Sequence, residues 1–217
     1  MRNIMLKEMK LSASPLAYIF IVSGLMFMIP GYPILCGAFF TTLGLFQSFQ
    51  AAREANDIVF SVLLPIAKKD VVTGKYRFVC LIEVCSLVLM IICTVIRMTV
   101  LADAPVYRTN ALMNANLFAL GAALIIFGLF NLVFLGGFFR TAYNLGRPFV
   151  TYIIIGFIAI GIIEALHHFP GLEILNSFGM ENLGIQALLM IVEAALFVIM
   201  TAVSYRMSVK NFDRTDL

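Results

Sequence analysis

The sequence predicts an all-α integral membrane protein with six transmembrane helices and both termini in the cytoplasm. Three observations carry this. The 217-residue chain is 62% hydrophobic and only 12% charged, with a mean hydropathy of +1.00, whereas a soluble domain carries about a quarter charged residues. Twelve acidic and fifteen basic side chains cannot cover a water-facing surface of this size, so most of the surface meets lipid. Six apolar stretches approach the 20 or so residues needed to cross about 30 Å of hydrocarbon. Finally, all fifteen basic residues except Arg97 and Arg108 fall in alternate connections, which assigns those connections to the cytoplasm.

Residues 1–14 come first. Ile4, Met5, Leu6, Met9 and Leu11 alternate with Arg2, Lys7, Glu8 and Lys10, the pattern of a short amphipathic helix lying in the membrane interface. No cleavable signal peptide is expected, because this segment is mixed in charge and no A-x-A site follows the first apolar stretch. The expected spans are 15–29, 34–50, 78–101, 116–138, 149–166 and 184–205. Pro30-Gly31-Tyr32-Pro33 joins the first two as a tight hairpin. The long cytoplasmic loop, 53–77, carries Arg53, Lys68, Lys69, Lys75 and Arg77. On the outer side, 167–183 is apolar enough to enter the membrane surface and too short to cross it, so a re-entrant or interfacial helix pair is expected before the last span. With no repeat or long linker, residues 1–217 read as one membrane domain.

Charged groups inside spans are the candidates for chemistry, since lipid makes them costly. Glu83, Arg97, Glu164 and Glu193 are the four. Glu83 lies near enough to the cytoplasmic end to pair with Lys75 or Arg77, while Arg97 and Glu164 sit near the outer ends. Glu193 is close to the middle of the last span and should face protein or water. Glu164, His167 and His168 share a helix face, but the spacing matches no zinc motif and the chain has only these two histidines, so no metal is expected. The four cysteines show no C-x-x-C pairing and read as small apolar packing groups. No catalytic residue emerges. A G-x-S-x-G motif is absent, and near Gly74-Lys75 the P-loop pattern fails, with Lys69 in place of the first glycine and Tyr76 in place of Ser or Thr. No basic run suggests nucleic acid.

The loop 53–77 holds the most information. Asn56 or Asp57 can cap a short helix whose apolar residues Ile58, Val59, Val62 and Leu63 are too few to span a bilayer; an apolar helix at the cytoplasmic surface is covered either by a partner or, as an interfacial connector, by lipid headgroups. The string Leu64-Pro65-Ile66-Ala67-Lys68-Lys69-Asp70-Val71-Val72-Thr73-Gly74-Lys75-Tyr76, preceded by Arg53-Glu54 and Asn56-Asp57, resembles the loop between the second and third spans of type-2 ATP-binding cassette (ABC) permeases. The opening Leu6-Lys7-Glu8-Met9-Lys10-Leu11 is similar to the amphipathic start of that family, and the small outer loops resemble permeases of peptide-toxin and antimicrobial-peptide exporters.

The resemblance implies a coupling helix docked on a separately encoded ATPase, with Asp57, Ile58, Val59, Val62, Leu63, Leu64, Pro65, Lys68 and Lys69 at the contact. It also implies two ATPase copies, a second permease chain, and ATP and magnesium bound by the ATPase rather than by this chain, in the plasma membrane. Few charges line the spans, so an amphipathic or hydrophobic cargo such as a peptide is expected to leave the cell. Two other classes fit the composition. An ion-coupled secondary transporter would use Glu193 and Glu83, and a non-transporting scaffold or sensor would use the same loop to bind a cytosolic partner.

Overall fold

The computed structural model describes residues 2–63, 66–141 and 144–214, and every regular element among them is a helix. In chain order these are α1 (Arg2–Lys7, extended by a π turn Glu8–Ser12), α2 (Pro15–Met28), α3 (Cys36–Glu54), α4 (Asp57–Leu63), α5 (Lys68–Thr99), α6 (Pro105–Arg108), α7 (Leu117–Thr141), α8 (Gly146–Leu166) and α9 (Leu183–Asp213). The starts follow local chemistry. Ser14 accepts from the Leu16 N–H, with Pro15 at the first helical position of α2, and Asn116 caps α7 by accepting from Ala119 N–H at 3.0 Å.

Four helices, α5, α7, α8 and α9, are long and apolar enough to cross a membrane. Met5–Ser12 and Pro15–Met28 make a fifth if their 104° bend is taken as one broken span. The expected second stretch forms α3, but Thr41, Thr42, Gln47, Ser48 and Gln50 keep it out of this set by composition. The outer segment also differs from expectation. In place of a helix pair it holds one 3-10 turn, Glu173–Asn176. Its carbonyls are taken by side chains from elsewhere, Asn116 on Leu175 and Ser177 and Gln186 on Ile174, which satisfies the backbone without further helix.

Phenylalanine fills the core. Phe46 stacks on Phe149 at 3.5 Å between ring centres, and Phe49, Phe130, Phe134 and Tyr152 close around them. The tightest helix pair is α7 on α9, where Gly121 and Gly128 let Glu193 and Met200 approach the α7 backbone. Lower on the same seam, Ser204 donates to the Asn131 carbonyl within a π-helical stretch, Phe130–Leu135. An inserted side-chain bond of this kind draws a carbonyl from its helical partner and widens the turn.

Candidate functional site

One end of the bundle carries Lys7, Lys75 and α4, and there the structure builds a closed ring of charge. Lys7 Nζ lies 3.0 Å from Glu8 Oε1 and 2.6 Å from Asp57 Oδ1, while Lys75 Nζ lies 2.7 Å from Glu8 Oε2 and 2.9 Å from Asp57 Oδ2. Each ammonium meets both carboxylates and each carboxylate meets both ammoniums. Lys7 also donates to Ser61 Oγ at 2.6 Å, and Ser61 donates back to the Asp57 carbonyl one turn earlier. Glu8 is 1% exposed, Lys75 3% and Asp57 8%, so water screens these pairs little. The Phe49 ring lies 5.7 Å from Lys75 Nζ. The ring thus ties α1 and the short α4 to α5, a helix packed deep in the bundle.

Its effect on α4 is an inversion of the usual amphipathic order. The chain leaves α3 through Ala55 and Asn56, whose φ of 51° turns it sharply, and re-enters a helix at Asp57. Asp57, Ile58 and Ser61 then face inward, while Val59, Phe60 and Leu63 are 39%, 56% and 80% exposed. Asp57 and Ser61 are buried because their partners lie inside, Ile58 joins the core beside them, and Val59, Phe60 and Leu63 are left outside. Beside them a cavity of about 140 Å³ opens between α3 and α4, lined in part by Phe49, Arg53, Val59 and Phe138.

These positions revise the expected contact set. Asp57 and Ile58 point inward rather than to a partner, and Phe60, not singled out from sequence, joins the outward face. Lys69 is exposed, and Lys68 donates to the Asp213 carbonyl at 3.4 Å. Leu64, Pro65 and the Val62 side chain lie outside the described residues.

Burial alone would raise the Asp57 carboxyl, but the charges of Lys75 and Lys7 and their hydrogen bonds outweigh it and hold the group below its ordinary value of 3.8. A carboxyl lowered by folding contributes stability that is complete above its unfolded value and is lost as pH falls through the folded one. Hydrogen-exchange protection of α4 should therefore be level from about pH 7 to about pH 5 and fall below about pH 4. In an Asp57→Asn variant the acid-dependent step should shrink.

The in-span charges are placed differently from the sequence expectation. Glu83 does not pair with Lys75 or Arg77, since eight residues of helix separate it from Lys75 by about 12 Å. It accepts from Asn131 Nδ2 at 3.1 Å, and Asn131 also donates to Thr201. Arg97 does not reach toward water. It is 5% exposed, donates to the Phe27 carbonyl at 3.0 Å and to Asn114, and lies 3.8 Å over the Tyr107 ring. Glu164 accepts from the Met113 and Leu35 backbone N–H groups at 3.2 and 3.4 Å, tying two connections to the end of α8. Glu193 is half-buried against Gly121. His167 bonds the Ala111 carbonyl through Nε2, and burial holds its ring below the ordinary histidine value. No group of three His, Cys, Asp or Glu side chains among the described residues is placed to hold a metal.

An all-helical bundle with four or five helices long and apolar enough to cross a membrane defines a multi-pass membrane protein. The chain belongs to the ABC-2 family transporter proteins, whose family model matches residues 3–213. It is a type-2 ABC permease, as the loop 53–77 implied. No curated protein and no solved structure matches the chain.

Proposed function

We propose that this chain is the membrane-spanning subunit of an ATP-driven exporter and that α4 is the coupling helix through which a separate cytoplasmic ATPase acts on it. The observation that carries the proposal is the outward apolar face of Val59, Phe60 and Leu63 on a helix fixed from behind by the Lys7–Glu8–Asp57–Lys75 ring. Exposed apolar side chains on a rigid support suit an apolar groove on a protein partner, where a central anchor carries most of the binding energy. The rigid support serves transmission, because a push on α4 is passed to α1 and α5 through short, buried contacts rather than absorbed by a loose loop.

In this reading six helices cross the plasma membrane and both termini are cytoplasmic. The nine residues of 3-10 helix in α2 rise about 2.0 Å each, so with its first turn α2 reaches about 25 Å, close to the hydrocarbon thickness. The polar groups of α3 are turned away from lipid: Thr41 meets Ser86 at 2.7 Å, Thr42 meets Tyr152 at 2.7 Å, and Ser48 accepts from Ser14 N–H at 3.0 Å. Two permease chains and two ATPases make the working exporter. ATP and magnesium belong to the ATPase, this chain catalyses nothing, and the cargo is amphipathic or hydrophobic, such as a peptide. The ion-coupled alternative would use Glu83, which accepts from Asn131 through Oε2, and Glu193, which lies against Gly121.

The test is purification of tagged protein from native membranes, comparing wild type with a Leu63→Asp, Lys69→Glu variant. An ATPase subunit should accompany the wild type and be lost from a variant that still elutes as a folded species. Retention of the ATPase by the variant would move the contact away from α4, and absence of any ATPase from the wild type would overturn the exporter reading.

A further inference from the structure

We propose that the groove between α5 and α9 at the basic end of the bundle binds an anionic phospholipid, with the phosphate at Arg77 and an acyl chain along Cys80, Phe197 and Ala202. The groove is open along its side and has a volume of about 370 Å³. On α5 its wall is Thr73, Tyr76, Arg77 and Cys80, residues spaced to share one helix face, and α9 supplies the facing wall through Phe197, Val198, Thr201, Ala202 and Tyr205. Thr73 Oγ1 and Tyr205 OH meet at 3.0 Å across the basic end. The interior is apolar, so a polar macromolecular segment would lose hydration there without replacement.

Charge selects the occupant. Arg77 is exposed at the mouth, Lys69 lies one turn beyond Thr73 on the same stripe, and Arg206 and Lys210 continue the stripe of Ala202 on α9. None of these four cations forms an ion pair among the described residues. Asp70 and Asp213 are the acids on these helix ends, leaving the mouth basic. An apolar slot capped by cations fits a lipid chain with a negative headgroup, and each such cation attracts an anionic leaflet. A second copy of this chain is a poorer occupant, because membrane topology would bring its own basic end to the same depth and set like charges together.

The experiment is native mass spectrometry of the full-length protein in mixed micelles containing equal amounts of phosphatidylglycerol and phosphatidylcholine, with a diazirine-bearing phosphatidylglycerol as a second probe. The wild type should retain phosphatidylglycerol preferentially, and light should attach the probe to the α5 peptide containing Cys80. Arg77→Gln should lower the preference about fivefold, the worth of one interfacial cation, while Arg140→Gln at the same end should leave it unchanged. Equal retention of the two lipids by the wild type would overturn the proposal whatever the variants do. So would a Cys80-to-Cys80 disulfide between copies in membranes, since a second chain would then fill the groove.

Discussion

Replacing Lys75 with methionine should lower the stability of the solubilised protein by about 3–5 kcal/mol, the loss that follows when one partner of a buried ion pair is removed. Lys75 is 3% exposed and meets both carboxylates, so its removal leaves Glu8 Oε2 and Asp57 Oδ2 buried without a cation. Lys7 cannot make up the deficit, because it already lies against the other two oxygens, Glu8 Oε1 and Asp57 Oδ1. Thermal unfolding followed by scattering or intrinsic fluorescence measures the loss. Adding Glu8→Gln should return part of it by removing one stranded charge, so the double variant should be more stable than Lys75→Met alone. If Lys75→Met costs under about 1 kcal/mol, water reaches the carboxylates and the ring is not the seat of α4. Coupling should suffer with stability, since α4 is then free to turn its polar side chains outward.

A second large effect is expected at the α7–α9 seam. A Cβ added at Gly121 would lie 1.8 Å from Glu193 Oε2 and 3.0 Å from Glu193 Cβ, and the second of these cannot be relieved by rotating the carboxylate away. Gly121→Leu should therefore force the helices apart and cost about 3 kcal/mol. Glu193→Ala made alone should cost far less, and combined with Gly121→Ala it should restore part of the stability lost by Gly121→Ala alone, because it removes the carboxylate from the contested space and leaves only the Cβ contact. A restored double variant that also restores transport would place Glu193 in packing. Recovery of stability without transport would give the carboxylate a role in the path.

Much of the fold was legible because lipid is a demanding solvent. The apolar runs that became α5, α7, α8 and α9 are set by the requirement that backbone groups be satisfied within a helix. The polar groups of α3 were not placed by the sequence: Thr41 and Thr42 bond carbonyls of their own helix, Gly37 and Phe39, and also meet Ser86 and Tyr152, which are 45 and 110 residues away. The outer segment 167–183 was read as a helix pair and holds one short 3-10 helix, Glu173–Asn176. Its apolar composition is real, but Asn114 and Asn116 reach its carbonyls from the connection before α7, and no local pattern announces that.

The loop 53–77 was informative as a sequence pattern and misleading as an amphipathic helix. Reading Ile58, Val59, Val62 and Leu63 as one apolar set ignores which face the protein covers. Phe60 was passed over for the same reason, although its 56% exposure places it beside Val59 and Leu63. Glu8 and Lys7 looked like the polar side of an interfacial helix, and Lys75 like a partner for Glu83. The ring they form spans 67 residues between Glu8 and Lys75, beyond the reach of helical spacing.

The sequence alone determined that this protein lives in a membrane, which ends carry the positive charge, and that its loop belongs with type-2 ABC permeases. Those properties depend on composition and on local order, and each is a sum over neighbours in the chain. Only the tertiary structure decided which face of α4 is exposed, where Glu83 and Arg97 find their partners, and why Gly121 must lack a side chain. Those depend on distances between residues far apart in the chain, where one buried charge is stable only if its counterpart arrives from another helix.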